Sequence, residues 1–204
     1  MRAALREQNP LPLRGTVEVD ETWVGGKARY RGRGYKGNKV IVVGAIQRAG
    51  PLRLQLISRA DRKTLHKFIH QNTLPKTEAI YTDELKAYRG IADEDTRHET
   101  VNHSAEQWVN GKVHTNTVES VWSLLKRSII GAYHKISVKH LDAYLDELEF
   151  RFNNRSNDWA FRDALMKLVS ADKLTYEQLT NADYGTQKTP NGTKNAPRNT
   201  KALS

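Results

Sequence analysis

β-Branched and acidic residues alternate from Thr16 to Trp23 (TVEVDETW), a period of two that predicts a strand. Pro10, Pro12 and Gly15 break the lead-in before it. Lys39 to Gln47 (KVIVVGAIQ) is a near-continuous apolar run, the pattern of a strand covered on both faces. Leu52, Leu54 and Leu56 then alternate with Arg53 and Gln55, so three strands follow one another and predict an antiparallel meander. Between the first two lies Gly25 to Asn38 (GGKARYRGRGYKGN), a glycine-rich basic loop or hairpin tip.

The period changes after Asp61. Leu65, Phe68 and Ile69 are spaced for a helix over Asp61 to Asn72, and Ala79 to Asp83 reads as a short strand ending in an acid. A brief helix over Leu85 to Tyr88 and a strand around His98 to Asn102 come next. A long helix from about Asn116 puts Val118, Val121, Trp122, Leu125 and Ile129 on one face. Another follows Ser137, with Val138, Leu141, Tyr144, Leu145, Leu148 and Phe152 inward; Leu165, Leu168 and Val169 mark a last one. From Asn181 onward there is almost nothing to bury, which predicts disorder.

The order β-β-β-α-β-α-β-α predicts an α/β chain of the ribonuclease-H-like class, a mixed five-stranded sheet flanked by helices, with C-terminal helices added. The expected organisation is a lead-in over 1–14, a catalytic domain over 15–170, and a short helix or loop and tail over 171–204. In that fold the first and fourth strands are neighbours, so Asp20 and Asp83 are expected side by side.

Composition narrows the partners. The 204 residues carry a net charge of +10 with 38% hydrophobic residues and no cysteine. That excludes a disulfide framework and thiolate metal sites. No apolar run approaches the roughly 18 residues of a membrane span, and the N-terminus does not continue into a signal-peptide core. The expectation is a cytoplasmic, nucleoid-associated protein with no membrane partner. No acid lies between Glu21 and Asp61, whereas Lys27, Arg29, Arg31, Arg33 and Lys36 crowd the glycine-rich loop. Such clusters favour nucleic-acid phosphates, although a solvated surface is the plain alternative.

The acids give this basic chain its candidate chemistry. Phosphodiester cleavage by two Mg²⁺ ions roughly 3.5–4 Å apart activates the attacking oxygen and stabilises the leaving one, and hard oxygen ligands hold such ions. Asp20, Asp83 and Glu119 stand on a strand, a strand end and a helix start. Clustered without a cation, they would repel by about 4 kcal/mol per pair at 4 Å and an effective dielectric of 20. Each has an alternative role. Asp20 could be a surface acid on an alternating strand, the role expected of Glu18. Asp83 could cap the following turn, and Asn116-Thr117-Val118-Glu119 fits a capping box. Lys126, nearly two turns beyond Glu119, projects the same way and could hold a phosphate or be solvated. Trp122, Tyr144, Phe150, Phe152 and Trp159 read as packing aromatics. Arg151 and Arg155 could reach DNA phosphates or end a helix.

GTVEVDETWVGGK at Gly15 to Lys27, YTDELKAY at Tyr81 to Tyr88, VNHS at Val101 to Ser104, VHTNTVESVWSLLKR at Val113 to Arg127 and GAYHKISVKHLDAYLDELEFRFNNR at Gly131 to Arg155 together carry a resemblance. The chain resembles the catalytic domain of an insertion-sequence transposase of the acidic-triad (DDE) class, of the ISXO-two-like type in insertion-sequence group fifteen ninety-five. The resemblance implies DNA strand cleavage at transposon ends and strand transfer into a target, with Mg²⁺ as cofactor and Mn²⁺ as substitute. It carries over Asp20 and Asp83 as metal ligands, with Glu119 as the third and Asn116 as its rival, followed by Lys126. DNA contacts are then expected from Lys27, Arg29, Arg31, Arg33, Lys36, His114, Lys126 and Arg127, and by analogy a homodimer. Members of the family normally carry an N-terminal zinc-ribbon and helix-turn-helix region. With no cysteine and 15 residues before Thr16, a partial or degenerate copy or a split reading frame is expected.

Overall fold

The computed structural model describes residues 1–25, 39–92, 94–101, 114–134, 136–173 and 175. Five strands form one sheet: β1 (Thr16–Val24), β2 (Val40–Gln47), β3 (Leu52–Ile57), β4 (Ala79–Thr82) and β5 (Arg97–Thr100). Their order is β3-β2-β1-β4-β5. The first three pair antiparallel, while β1–β4 and β4–β5 are parallel. That mixed topology is the ribonuclease-H-like one, and it sets β4 beside β1 as expected.

Helix α1 (Arg62–Asn72) covers one face and starts on Asp61, whose side chain accepts the Thr64 N–H. Leu65, Phe68 and Ile69 join Val17, Val19, Ile41, Val43 and Ala45 in that core. On the other face, α2 (Asn116–Ser128) and α3 (Leu141–Asn153) bring Val118, Val121, Trp122, Leu125, Leu141 and Leu145 onto Val42, Ile46, Leu52 and Leu54. Strand β2 contributes alternate residues to both cores, which explains its unbroken apolar run.

Residues 1–14 are bound into this body. Leu13 is wholly buried, donates its N–H to Asn72 O and accepts from Leu74 N–H. Arg2 and Arg6 pair with Glu147 and Asp146 of α3. Arg53, polar within an alternating strand, is buried and donates to the carbonyls of Leu52 and Leu11.

The outer strand β3 is bonded along its free side by α3. Glu149 accepts the Leu54 N–H at 2.8 Å. Asn153 accepts the Leu52 N–H at 2.7 Å and donates to Leu52 O at 3.1 Å, so its amide imitates one rung of a sheet. Beside it, Arg151 pairs with Glu147 and Arg155 donates to Phe152 O. The helix-ending alternative therefore accounts for Arg155.

Three expectations fail here. Val138 is not inward: it lies in a short 3₁₀ turn before α3 and is exposed. Trp159 is not a packing residue: it is 63% exposed, with Arg162 stacked over its ring. It leads into α4 (Ala160–Ser170), which has no buried residue and leaves Phe161 and Val169 open to solvent. Glu18 is not a surface acid but fully buried. Its side of β1 meets α2, and there it answers that helix's unpaired N–H groups.

Candidate active site

Glu18 builds the ground on which the site stands. Its Oε2 accepts the N–H groups of Thr117 and Val118, at 2.9 and 3.2 Å. Its Oε1 accepts from the Thr117 hydroxyl and from Arg48 Nε, at 2.9 and 2.8 Å. The first turn of a helix has orphan N–H donors and a positive end, and a carboxylate satisfies both. The expected capping box is thus replaced by a cap from a distant strand. Thr115, not Asn116, is the N-cap residue, and it makes no side-chain cap bond. Asn116 is exposed at the first helical position.

One residue past Val19, Asp20 points to the same face as Glu18, toward α2. The indole Nε1–H of Trp122 donates to Asp20 Oδ2 at 2.7 Å. Asp20 is paired in register with Gly44 on β2, and a Cβ at Gly44 would lie 2.6 Å from the Trp122 ring. The absence of a side chain at Gly44 is what lets the indole lie across the sheet and reach the carboxylate. Gly44→Ala should cost about 1–3 kcal/mol by overpacking, read by urea unfolding, and should weaken any activity that depends on Asp20.

Asp83 follows the last residue of β4. Its Oδ1 accepts the Leu85 N–H at 3.0 Å, so the expected turn-capping role is realised. Its carbonyl accepts from the Thr82 hydroxyl at 2.8 Å, and Thr82 Oγ1 lies 2.9 Å from His98 Nε2. Since the hydroxyl has one proton and gives it to Asp83, His98 is the donor to Thr82. Glu119 sits half-buried on α2 and accepts from the Thr115 hydroxyl at 3.0 Å.

Asp20 feels the charges of the other two carboxylates. Burial pushes Asp20 up to about 6; Asp83 and Glu119 push the same way, against the bonds from Trp122 and the Glu21 backbone. Glu21, which nothing in the alternation singles out, is a fourth acid here. Burial raises it to about 7, helped by Asp83 and Asp20 and opposed by its bond from the Tyr88 hydroxyl. No signal in the sequence marks that pair: Tyr88 stands between Ala87 and Arg89, and a buried tyrosine hydroxyl needs a partner only once the fold has buried it.

Oxygen-only, negatively charged donors fit a hard divalent ion in kind. Among the described residues, no three such groups already stand close enough to enclose an ion. Asp20, Asp83 and Glu119 are the residues that would hold one.

Lys126 and Arg127 are exposed at the far end of α2. His114 turns inward: its Nδ1 lies 3.3 Å from Glu18 Oε1, within ion-pairing reach but unaligned for a hydrogen bond. Lys27, Arg29, Arg31, Arg33 and Lys36 lie outside the described residues, as do 102–113, which include most of VNHS. No helix among the described residues is long and apolar enough to cross a membrane.

A ribonuclease-H-like sheet with acids on β1, after β4 and on α2 has the form of a transposase domain. The chain belongs to the ISXO2-like transposase domain family, whose model matches residues 12–153. It is 30% identical over 155 residues to a protein of the transposable element ISH50 from Halobacterium salinarum, covering 68% of this chain and 52% of that protein. The chain therefore spans about half the length of that relative. A transposase-like protein of Haemophilus influenzae is 26% identical over 99 residues, 48% of this chain and 78% of that one. Among solved structures, a chain of a simian T-cell lymphotropic virus intasome in complex with PP2A regulatory subunit B56 gamma aligns at TM-score 0.43 and 15% identity, over 96% of this chain and 63% of that one. The HTLV-2 integrase catalytic core domain in complex with magnesium aligns at TM-score 0.40 and 14% identity, over 70% and 88%. Likenesses this distant say nothing of the chain's chemistry.

Proposed function

We propose that this domain cuts DNA strands at transposon ends and joins them to a target, using Mg²⁺ or Mn²⁺ held by Asp20, Asp83 and Glu119. The observation that carries the reading is positional: Asp20 stands on β1, Asp83 directly follows the neighbouring β4, and Glu119 stands on α2, whose Trp122 bonds Asp20. Acids gathered from three separate elements of a basic transposase-family chain are best explained by a cation that neutralises them. Divalent ions bound there would activate the attacking oxygen and stabilise the leaving one.

The chain's own residues supply the rest. Trp122 fixes the rotamer of Asp20 through one carboxylate oxygen, and Thr115 holds one oxygen of Glu119. Lys126 and Arg127, exposed on the same helix, neutralise backbone phosphates, a contribution that weakens with salt. The basic residues of the glycine-rich segment would add to that positive charge, and two copies would hold paired ends. His114 serves the Glu18 network rather than the scissile phosphate.

The test is an assay of the purified chain on duplexes bearing the ends of its own element, with Mg²⁺, Mn²⁺ or EDTA. Metal-dependent nicking and joining is expected. Glu119→Gln should lose it by about a hundredfold or more, as when a transition-state charge stabiliser is removed, whereas Asn116→Ala should retain most of it. The converse pattern would make Asn116 the third catalytic residue. Nicking without joining of pre-cleaved ends would mark a nuclease instead, and metal-independent DNA binding alone a non-catalytic remnant.

A further inference from the structure

Asp20 and Asp83 lie beyond the reach of the ladder that joins their strands. The β1–β4 register runs Thr16↔Ala79, Val17↔Ile80 and Glu18↔Tyr81, and β4 ends at Thr82. Strand β1 continues to Val24 alongside β2. Both acids come two residues after the last pair, where the chain leaving β4 turns away from β1. Hydrogen bonds between the two strands therefore do not set the distance between these carboxylates.

A different contact spans that gap. After Asp83 the chain makes a single 3₁₀ turn, Lys86–Tyr88, and returns Tyr88 to the core beneath β1. The Tyr88 ring is wholly buried in the α1-side core. Its hydroxyl donates to Glu21 Oε2 at 2.5 Å. Glu21 follows Asp20 directly and, by the alternation of a strand, points to the opposite face of the sheet. Its carboxylate is thus directed at the Asp83 turn from below, while Asp20 faces α2 above.

We propose that Tyr88 and Glu21 are positioning residues for the acidic site: their hydrogen bond straps the Asp83-bearing turn to β1 and sets the Asp20–Asp83 separation at which a divalent ion is held. The inference rests on the function proposed above, and it assigns Glu21 a role through Tyr88 and not as a metal ligand. A charge-assisted bond between a buried phenol and a carboxylate is short and directional. The strap acts at the one point where the turn and the strand would otherwise part. On the other side of the turn, His98 and Thr82 hold the Asp83 carbonyl, so the turn is gripped from both β1 and β5.

The test measures Mn²⁺ affinity by electron paramagnetic resonance of the free ion, beside metal-dependent strand cleavage, in Tyr88→Phe, Glu21→Ala, Glu21→Gln and the Tyr88→Phe/Glu21→Ala double variant. Asp20→Asn is the reference for loss of the site, and thermal melts check that each variant folds. Tyr88→Phe keeps the buried ring and removes only the hydroxyl. It should weaken Mn²⁺ binding by about tenfold, within the range for outer-shell partners of a metal site, with cleavage restored at saturating Mn²⁺. Glu21→Ala should match it, the double variant should be no worse than either, and Glu21→Gln, which can still accept the bond, should recover most of the loss. Wild-type affinity in Tyr88→Phe would overturn the strap, as would Glu21→Gln falling as far as Glu21→Ala, since Glu21 would then act through its charge. If Asp20→Asn itself binds Mn²⁺ normally, the underlying metal site fails and the strap with it. If Asp20→Asn loses binding and Tyr88→Phe does not, the strap alone fails.

Discussion

Asp20→Asn should reduce strand cleavage by on the order of a thousandfold or more, about 4 kcal/mol of transition-state stabilisation, while leaving salt-dependent DNA binding intact. The same variant should make the metal-free chain more stable at pH 8. Asp20 and Glu21 titrate near about 6 and about 7 when folded, against ordinary values of 3.8 and 4.5. A raised folded-state value means that the folded chain holds the proton more tightly. The stability this gives is complete below the ordinary values and is lost as pH rises through about 6 and about 7. For Asp20 the loss amounts to at most about 3 kcal/mol. At roughly 2–4 °C per kcal/mol for a chain of this size, it is several degrees of melting temperature.

The melting-temperature gap between Asp20→Asn and wild type should therefore open between pH 4 and pH 8 without metal. Mg²⁺ should close it at pH 8 by stabilising wild type, through binding to the folded state alone. A pH-independent gap would mean that Asp20 is not a strained acid, and an Asp20→Asn protein stabilised by Mg²⁺ as much as wild type would place the ion elsewhere.

Glu18→Ala should be the most destabilising single change in the domain, by about 3–5 kcal/mol, the usual cost of removing one partner of a buried ion pair. Two losses coincide and nothing replaces them. Arg48 is left without the carboxylate at 2.8 Å. The N–H groups of Thr117 and Val118 lose their acceptor. The helix has no side-chain cap of its own to take over. Because α2 carries both Glu119 and Trp122, the damage should spread from stability to metal binding. Urea unfolding with and without Mn²⁺ separates the two effects. Glu18→Gln, which keeps acceptor oxygens but not the charge, should fall between wild type and Glu18→Ala. A Glu18→Ala protein within 1 kcal/mol of wild type would show that the cap and the ion pair are dispensable.

The sheet was legible because its strands differ in kind. β2 is apolar on both faces and β1 alternates, which placed the meander, and the acid directly after Ala79–Thr82 marked a second strand end. Asp20, Asp83 and Glu119 drew attention as acids at a strand end or a helix start in a basic chain. Glu18 was misjudged for a physical reason: alternation tells which face a residue takes, not what lies over that face. Over Glu18 lies the N-terminus of a helix that begins about 100 residues later, and no local pattern reveals it. Gly44, Trp122, Tyr88 and Glu21 were hidden in the same way, each depending on a partner from a distant segment. Trp159 erred in the opposite direction, since a helical period predicts a stripe but not whether a neighbour exists to cover it.

The clasp of Glu149 and Asn153 on β3 reaches beyond the fold itself. Unsatisfied backbone along the rim of a sheet is a template for other polypeptides. Here the rim is engaged at Leu52 and Leu54 by the chain's own helix. At those two positions another polypeptide could pair with β3 only by first displacing α3.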